Sequence, residues 1–406
     1  MTHNEILKIT QEYLKKTNEN IIGVGYGYKT VNDVITNDKS IIFSVKEKKQ
    51  KELLTEEELL PSNIIISGDN ILTDVVQQDI KLLCDPTFYS WQSTPPSNRN
   101  IFRPLKSGVS CSAIPSMSGT TGTMGFLAID NDTNTLVGVS NNHVLIKDAF
   151  ISSEQDITGE LSSIENEQTN QPHENLNDNY IIGAVKRYKP IQCPPYYNTV
   201  DGALTTIRSG STYINTGISY KQENLSDNIT GIGLDFATTE EINNLLTSDP
   251  FLYSAGRTTG GKGEDATKLR IYSVAETITV DFNKQGNQTS VFFSDLIVFV
   301  ATTGTTKPFS KCQYPIYSGD SGSALIADIN GTKKIIGLCF AGNEYYGFAC
   351  RIDHVASQLN ISAWKGENIN YSDEIRNEYI VNGLSDAEYI DHGGNRYYQA
   401  GIRIIS

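Results

Sequence analysis

Between about residues 105 and 365 the chain runs as short apolar stretches, each broken within a few residues by Gly, Asn, Asp or Ser. No other feature limits its fold as strongly. Gly125–Ile129, Leu136–Val139, Ile181–Val185, Leu269–Val274, Ser290–Val300, Ser323–Ala327 and Lys334–Phe340 all read as strands. Many strands with few helices between them call for a sandwich or a barrel. The longest apolar run, around Leu296–Ala301, is strand-length and far short of the roughly 18–20 residues that cross a bilayer. No membrane partner is expected. The 406 residues are 38% hydrophobic and 20% charged, enough to bury a full-sized core, which excludes a disordered chain. A net charge of −14 repels phosphate backbones, and the short basic run Lys46–Lys51 is interrupted by Glu47. Nucleic acid is therefore excluded as a partner.

The flanks differ in texture. Residues 1–85 read as a small α+β domain. Ile6, Ile9, Tyr13 and Leu14 recur at helical spacing, and a strand alternates Ile22, Val24, Tyr26 and Tyr28 with Gly23, Gly25 and Gly27. The glycine face of that strand lets another element pack close. Its G-x-G-x-G lacks the spacing of a dinucleotide loop and no helix follows. Ile41–Val45 and Ile64–Ile66 read as further strands, and Lys48–Leu60 as a charged helix stopped by Pro61. Residues 86–104, with Pro86, Pro95, Pro96 and Pro104 among polar residues, read as a linker, and residues 366–406 as a tyrosine-rich C-terminal extension. The start of the chain lacks the basic stretch and apolar run of a secretory signal. The six cysteines (84, 111, 193, 312, 339 and 350) form no C-x-x-C pair. Six reduced thiols and a cytoplasmic location are expected.

The strongest chemical signal is Gly319-Asp-Ser-Gly-Ser-Ala-Leu325. A serine hydroxyl is a weak nucleophile until a base, oriented by a third group, takes its proton. The flanking glycines let the Gly319 and Ser321 N–H groups point into one space, where a tetrahedral oxyanion would sit. Of the five histidines, His143 sits at the end of an apolar strand, Gly138-Val-Ser-Asn-Asn-His. Asp201, in Tyr197-Asn-Thr-Val-Asp-Gly-Ala-Leu, reads as a carboxylate inside a largely apolar strand, costly unless a donor meets it. An imidazole Nδ1–H is such a donor, and the order His143, Asp201, Ser321 is one of the few in which this triad occurs.

Together, Ser140-Asn-Asn-His-Val-Leu, Asn198-Thr-Val-Asp-Gly-Ala and Gly319-Asp-Ser-Gly-Ser resemble the chymotrypsin/trypsin-like serine peptidases, in the bacterial disulfide-free type with an N-terminal α+β accessory domain. Ile182-Gly-Ala-Val-Lys-Arg, Gly256-Arg-Thr-Thr-Gly260 and Gly337-Leu-Cys-Phe-Ala-Gly342 add to the resemblance. It implies a mainly β fold, a double six-stranded barrel over residues 105–365. It also implies a serine endopeptidase acting on a protein or peptide through an acyl-enzyme, with no cofactor and no metal. Carried over, Ser321 is nucleophile, His143 general base, Asp201 its orienting partner, and the amides of Gly319 and Ser321 the oxyanion hole. Phe340, Ala341 and Gly342 become the edge that pairs with an extended substrate. Pro315 and Gly347 fall at the bottom of the primary pocket. Neither is acidic and Tyr345 and Tyr346 stand nearby in sequence, so an uncharged residue before the cleaved bond is expected. A cytoplasmic peptidase must be restrained, so regulation through the N-terminal domain or a partner protein is expected; the alternative is a catalytically silent or latent trypsin-like interaction module.

The resemblance also raises a question. Secreted members of the family pair the aspartate before the serine, here Asp320, with a freed N-terminal amine, and no cleavable leader is evident near residue 105. Asp320 must find another partner, or the enzyme is latent. The spacings between the triad residues are long, and part of the excess falls to the acidic segment 152–180, read as a solvated loop, and to a helical insertion near Thr238–Leu246. Finally, Gly256-Arg-Thr-Thr-Gly-Gly-Lys262 nearly matches a phosphate-binding loop. Gly263 stands where that loop needs Ser or Thr, so a glycine-rich turn is expected instead.

Overall fold

The computed structural model describes residues 1–16, 19–56, 58–83, 107–114, 121–146, 150–151, 159–160, 168–171, 181–207, 234–262, 267–284, 287–304, 307–364, 389–392 and 395–398. The linker 86–104, most of the acidic segment and most of the tail lie outside these residues.

The chain opens with the amphipathic helix expected from its sequence, α1 (His3–Lys16). Its apolar side packs on β1 (Ile21–Val31), which pairs with β2 (Val34–Val45). Then come β3 (Asn63–Ile66), β4 (Asp69–Gln77) and the two-residue β5 (Lys81–Leu82). The charged helix expected over Lys48–Leu60 is not formed: a single 3₁₀ turn spans Lys51–Leu53. Leu53 is 71% exposed and Leu59 43%, and Leu60 packs on the core from outside any helix, so too little apolar surface is left to dock a helix here, and a short undocked helix is marginal in water.

The first barrel begins with β6 (Val109–Ile114), β7 (Gly122–Met124), β8 (Phe126–Asp130) and β9 (Thr135–Ser140). A helical turn, α2 (Asn142–Leu145), follows, then β10 (Gln168–Asn170), β11 (Ile181–Tyr188) and β12 (Ala203–Thr206). Pairing runs β8–β9–β12–β11–β10–β6–β7. Only Gly125 separates β7 from β8, so the two act as one bent strand and the sheet closes on six.

After two short helices, α3 (Thr239–Asn243) and α4 (Leu245–Ser248), the second barrel is built from β13 (Phe251–Gly256), β14 (Thr267–Lys284), β15 (Asn287–Thr303), β16 (Phe309–Cys312), β17 (Ala324–Ile329), β18 (Thr332–Gly342) and β19 (Gly347–Arg351). The helices lie where the sequence places an insertion. Pairings β14–β13–β17–β18–β19–β15 close through β14–β15, again on six strands. A helix, α5 (Ile352–Gln358), follows. The architecture is mainly β, two six-stranded barrels with a helical N-terminal piece.

The N-terminal strands continue the second sheet. β1 pairs with β14, and β2 with β16. The element that packs on the glycine face of β1 is β14 itself: a Cβ at Gly25 would overlap the carboxylate of Glu276. That carboxyl is buried, accepts from Ser273 Oγ at 2.6 Å, and burial pushes it up to about 8. At the helix, His3 Nε2 and His354 Nε2 each stand 2.7 Å from an oxygen of buried Asp295, which Arg351 Nη1 also meets at 3.0 and 3.1 Å. This polar knot joins α1, β15 and α5.

Candidate active site

The backbone brings His143, Asp201 and Ser321 together at the seam of the two barrels. His143 lies in the turn of α2 directly after β9, rather than at the end of a strand. Its neighbours hold that turn: Asn141 Nδ2 donates to the Asp201 carbonyl at 2.7 Å, and Asn142 Nδ2 donates to the Lys189 carbonyl. Asp201 falls in the connection just before β12, not within a strand. It is fully buried and accepts the His143 backbone N–H at 3.2 Å on Oδ1, while Oδ2 meets His143 Nδ1. An ionised acceptor at Nδ1 places that ring proton on Nδ1, leaving Nε2 with a lone pair. Nε2 is 2.7 Å from Ser321 Oγ. Phe282, far along the β14–β15 hairpin, packs edge-on to the imidazole at 6.2 Å between centroids.

Ser321 sits on a tight loop whose shape depends on two glycines. Gly319 has φ +95° and Gly322 φ +88°. At Gly322 a Cβ would overlap Ser140 Oγ and Thr123 O. Thr123 fastens the loop to the first barrel: its N–H donates to the Ser321 carbonyl at 2.7 Å, and its Oγ1 donates to the Gly319 carbonyl at 2.9 Å.

Asp320 does find a partner. Its buried carboxylate accepts the backbone N–H groups of Thr258 (2.8 Å) and Thr259 (3.1 Å) on Oδ1 and that of Tyr317 (3.0 Å) on Oδ2. Burial pushes this carboxyl up, and the three amides work against that shift. Gly256-Arg-Thr-Thr-Gly260 is thus an anion cradle whose anion is the chain's own carboxylate. A Cβ at Gly256 would overlap Asp320 Oδ1. The near-match to a phosphate loop has this explanation, and Gly256, where a side chain would collide with the carboxylate, is its mark in the sequence.

Phe340, Ala341 and Gly342 form the last residues of β18, and all three are buried. Their outer edge is already paired. Leu82 lies opposite Ala341 and Lys81 opposite Gly342, antiparallel, and Leu83 N–H donates to the Phe340 carbonyl at 3.0 Å. The Gly319 N–H in turn donates to the Leu83 carbonyl at 2.5 Å. Pro315 is buried ahead of Ile316, and the Phe299 ring fills the space where a Cβ on Gly347 would stand. Tyr346 is buried, its ring 4.8 Å from that of Tyr272 and its hydroxyl 2.8 Å from Lys311 Nζ, while Tyr345 is only half-buried. Among the described residues no group of His, Cys, Asp and Glu is arranged to hold a metal ion. Cys111, Cys193, Cys312, Cys339 and Cys350 are free thiols, and burial pushes Cys111 and Cys339 up to about 12. No helix among the described residues is long and apolar enough to cross a membrane.

No family model matches the chain, and no curated protein sequence matches it. Solved structures similar to it include a glutamic acid specific serine protease that uses a histidine triad in substrate binding, at 12% identity over 64% of this chain and 100% of that one, TM-score 0.36. Nocardiopsis protease matches at 14% identity over 64% of this chain and 98% of its own, TM-score 0.36. Thermobifida fusca protease A matches at 13% over 64% and 99%, TM-score 0.35.

Proposed function

We propose that this chain is a serine endopeptidase, with Ser321 as nucleophile, His143 as general base and Asp201 as the group that orients the imidazole. The observation that carries the reading is the continuous relay Asp201 Oδ2, His143 Nδ1, His143 Nε2, Ser321 Oγ, with the last step at 2.7 Å and both ends of the relay fully buried. As Ser321 Oγ attacks a peptide carbonyl, its proton moves to Nε2, and the resulting imidazolium is held between Oγ and the Asp201 carboxylate. Charge building on the carbonyl oxygen meets the N–H groups of Gly319 and Ser321, which are fixed before the reaction because Asp320 pins their loop. His143 then returns its proton to the leaving nitrogen, and water hydrolyses the acyl-enzyme by the same relay in reverse.

In this reading residues 105–365 are the peptidase and residues 1–85 an accessory unit. Once the Lys81–Leu83 segment that pairs with it moves away, the Phe340–Gly342 edge binds the substrate as an added strand, and the pocket near Pro315 and Gly347 takes an uncharged side chain. A serine-reactive fluorophosphonate, followed by peptide mapping, tests the assignment: the adduct is expected on Ser321 and absent from Ser321→Ala. One observation favours a second reading, a latent trypsin-like module: the Gly319 N–H already serves the Leu83 carbonyl. The two readings share every residue of the site and differ only in turnover.

A further inference from the structure

The second barrel closes through pairs at Phe251–Leu252 with Leu269–Arg270 and at Leu296–Phe299 with Gly347–Cys350, yet the β14–β15 hairpin runs on to Lys284 and Asn287. The overhang reaches the first barrel. Tyr197 and Asn198, just ahead of Asp201, pair in parallel with Phe292 and Phe293, and Asn198 Nδ2 donates to the Phe292 carbonyl at 3.0 Å. So the hairpin is fastened to the segment that delivers the triad carboxylate. Near its tip Phe282 stands edge-on to the His143 ring and stacks on Phe293 at 5.9 Å, and Phe293 meets Phe340 at 4.7 Å. All three phenylalanines are buried. Their rings make one apolar wall from the imidazole to the β18 edge.

The stretch now paired with that edge shows which residue of an extended peptide meets the wall. Lys81 lies opposite Gly342 and Leu82 opposite Ala341, and the Leu83 N–H donates to the Phe340 carbonyl at 3.0 Å. Side chains alternate along a strand, so Leu82 and Leu83 point to opposite faces. Leu83 takes the side of Gly342 and Ile316: a Cβ on Gly342 would stand 3.2 Å from Leu83 Cδ2 and 2.9 Å from Ile316 Cγ2. Leu82 takes the face it shares with Ala341, whose methyl group fills little of it. Leu82 is buried all the same, and its strand packs on β14, the strand that carries Phe282. We infer that Phe282 determines the second residue before the cleaved bond and selects an aliphatic side chain there. This rests on the proposed serine-peptidase reading and adds the substrate class to it. An aliphatic group leaves water for the phenylalanine rings. A charged one would be desolvated beside hydrocarbon that offers it no hydrogen bond. A glycine leaves the wall uncovered.

Acetyl-Leu-Leu and acetyl-Gly-Leu diphenyl phosphonates test this, with leucine at the reacting position and only the second residue varied. Both are applied to the full chain carrying Leu83→Asp, which places a carboxylate in an apolar pocket and so releases the Gly319 N–H that the Leu83 carbonyl holds at 2.5 Å. Adducts on Ser321 are timed by mass spectrometry, beside a simple alkyl fluorophosphonate that has no second residue. The Leu-Leu probe is expected to react about 30-fold faster than the Gly-Leu probe, and adding Phe282→Ala should bring the two within about 3-fold. Comparing two probes on one protein cancels any change in the reactivity of Ser321. If the alanine protein fails to fold, Phe282→Leu takes its place, with the preference expected to fall at least about 3-fold. Equal rates for the two probes, a preference that survives loss of the ring, or a simple adduct with neither peptidyl adduct overturns the assignment. In each of those results Ser321 still reacts, and the peptidase reading stands. If the simple probe labels none of the proteins, the peptidase reading falls, and the role of Phe282 with it.

Discussion

Replacing Asp320 by Asn keeps the shape of the side chain and changes only what it can accept. In the native site Oδ1 takes the N–H groups of Thr258 and Thr259, and Oδ2 takes that of Tyr317. An amide oxygen can keep the two threonine donors. Its NH₂ must then face the Tyr317 N–H, donor against donor, in a place with no access to water. A buried donor left without an acceptor costs roughly 1–3 kcal/mol, so Asp320→Asn should lose about 2 kcal/mol. Asp320→Ala strands all three donors and should lose about 4 kcal/mol, part of the cost being recovered if water enters the space. The loop that aims the Gly319 N–H is tied to this carboxylate. If its aim is lost, the penalty is that of one oxyanion donor, about 10²–10³ in kcat. Urea unfolding and single-turnover acylation measure the two effects separately. An Asp320→Asn protein with native stability and native acylation would refute the idea that the cradle holds the nucleophile loop in place.

Other perturbations follow from the same structure. Glu276 has a folded-state value of about 8 against an ordinary 4.5, so its proton is bound more tightly in the folded chain, and stability is lost as pH rises between those values. Glu276→Gln removes that loss: it should gain a few kcal/mol over wild type at pH 8 and close to none at pH 4.5, read from unfolding midpoints. Burial works to raise the Asp295 carboxyl, but the hydrogen bonds of His3 and His354 and the Arg351 charge together hold it well below the usual carboxylate range, which adds stability above that range and loses it as pH falls through it. Asp295→Asn should cost about 3 kcal/mol at pH 7 by leaving the Arg351 cation buried with fewer partners, and the gap to wild type should narrow on acidification. Asp201→Asn should fold normally and lower kcat by about 10⁴-fold, since the imidazole loses the partner that fixes its tautomer.

The parts of this account that were legible in the sequence are those encoded locally. Gly319-Asp-Ser-Gly needs two left-handed residues around a serine, and the chain writes them as glycines. The alternation of β1 and the helical spacing of α1 are likewise properties of neighbouring residues. What escaped was decided by partners distant in sequence. The charge pattern of Lys48–Leu60 suits a helix, but nothing offers Leu53 or Leu59 a surface, and one 3₁₀ turn remains. His143 reads as a strand end because Gly138–Ser140 is one, yet Asp201 and Asn141 capture the following turn. The seating of Leu83 against Phe340 and Gly319 left no local trace, for any short apolar pair can extend an edge strand, and only the folded chain selects which one does. The same holds for Gly25, whose missing side chain makes sense only once Glu276 is seen to occupy the space.

In the proposed mechanism the relay from Asp201 through His143 makes Ser321 a nucleophile. Fluorophosphonate labelling rates of the wild type, Leu83→Asp and their His143→Ala counterparts, read by mass spectrometry at Ser321, test it most directly. An adduct on Ser321 is expected in Leu83→Asp at least as fast as in wild type, with a loss of about 10³-fold or more when His143 is replaced. Equal labelling with and without His143, or no adduct on Ser321 in any of the four proteins, would contradict it.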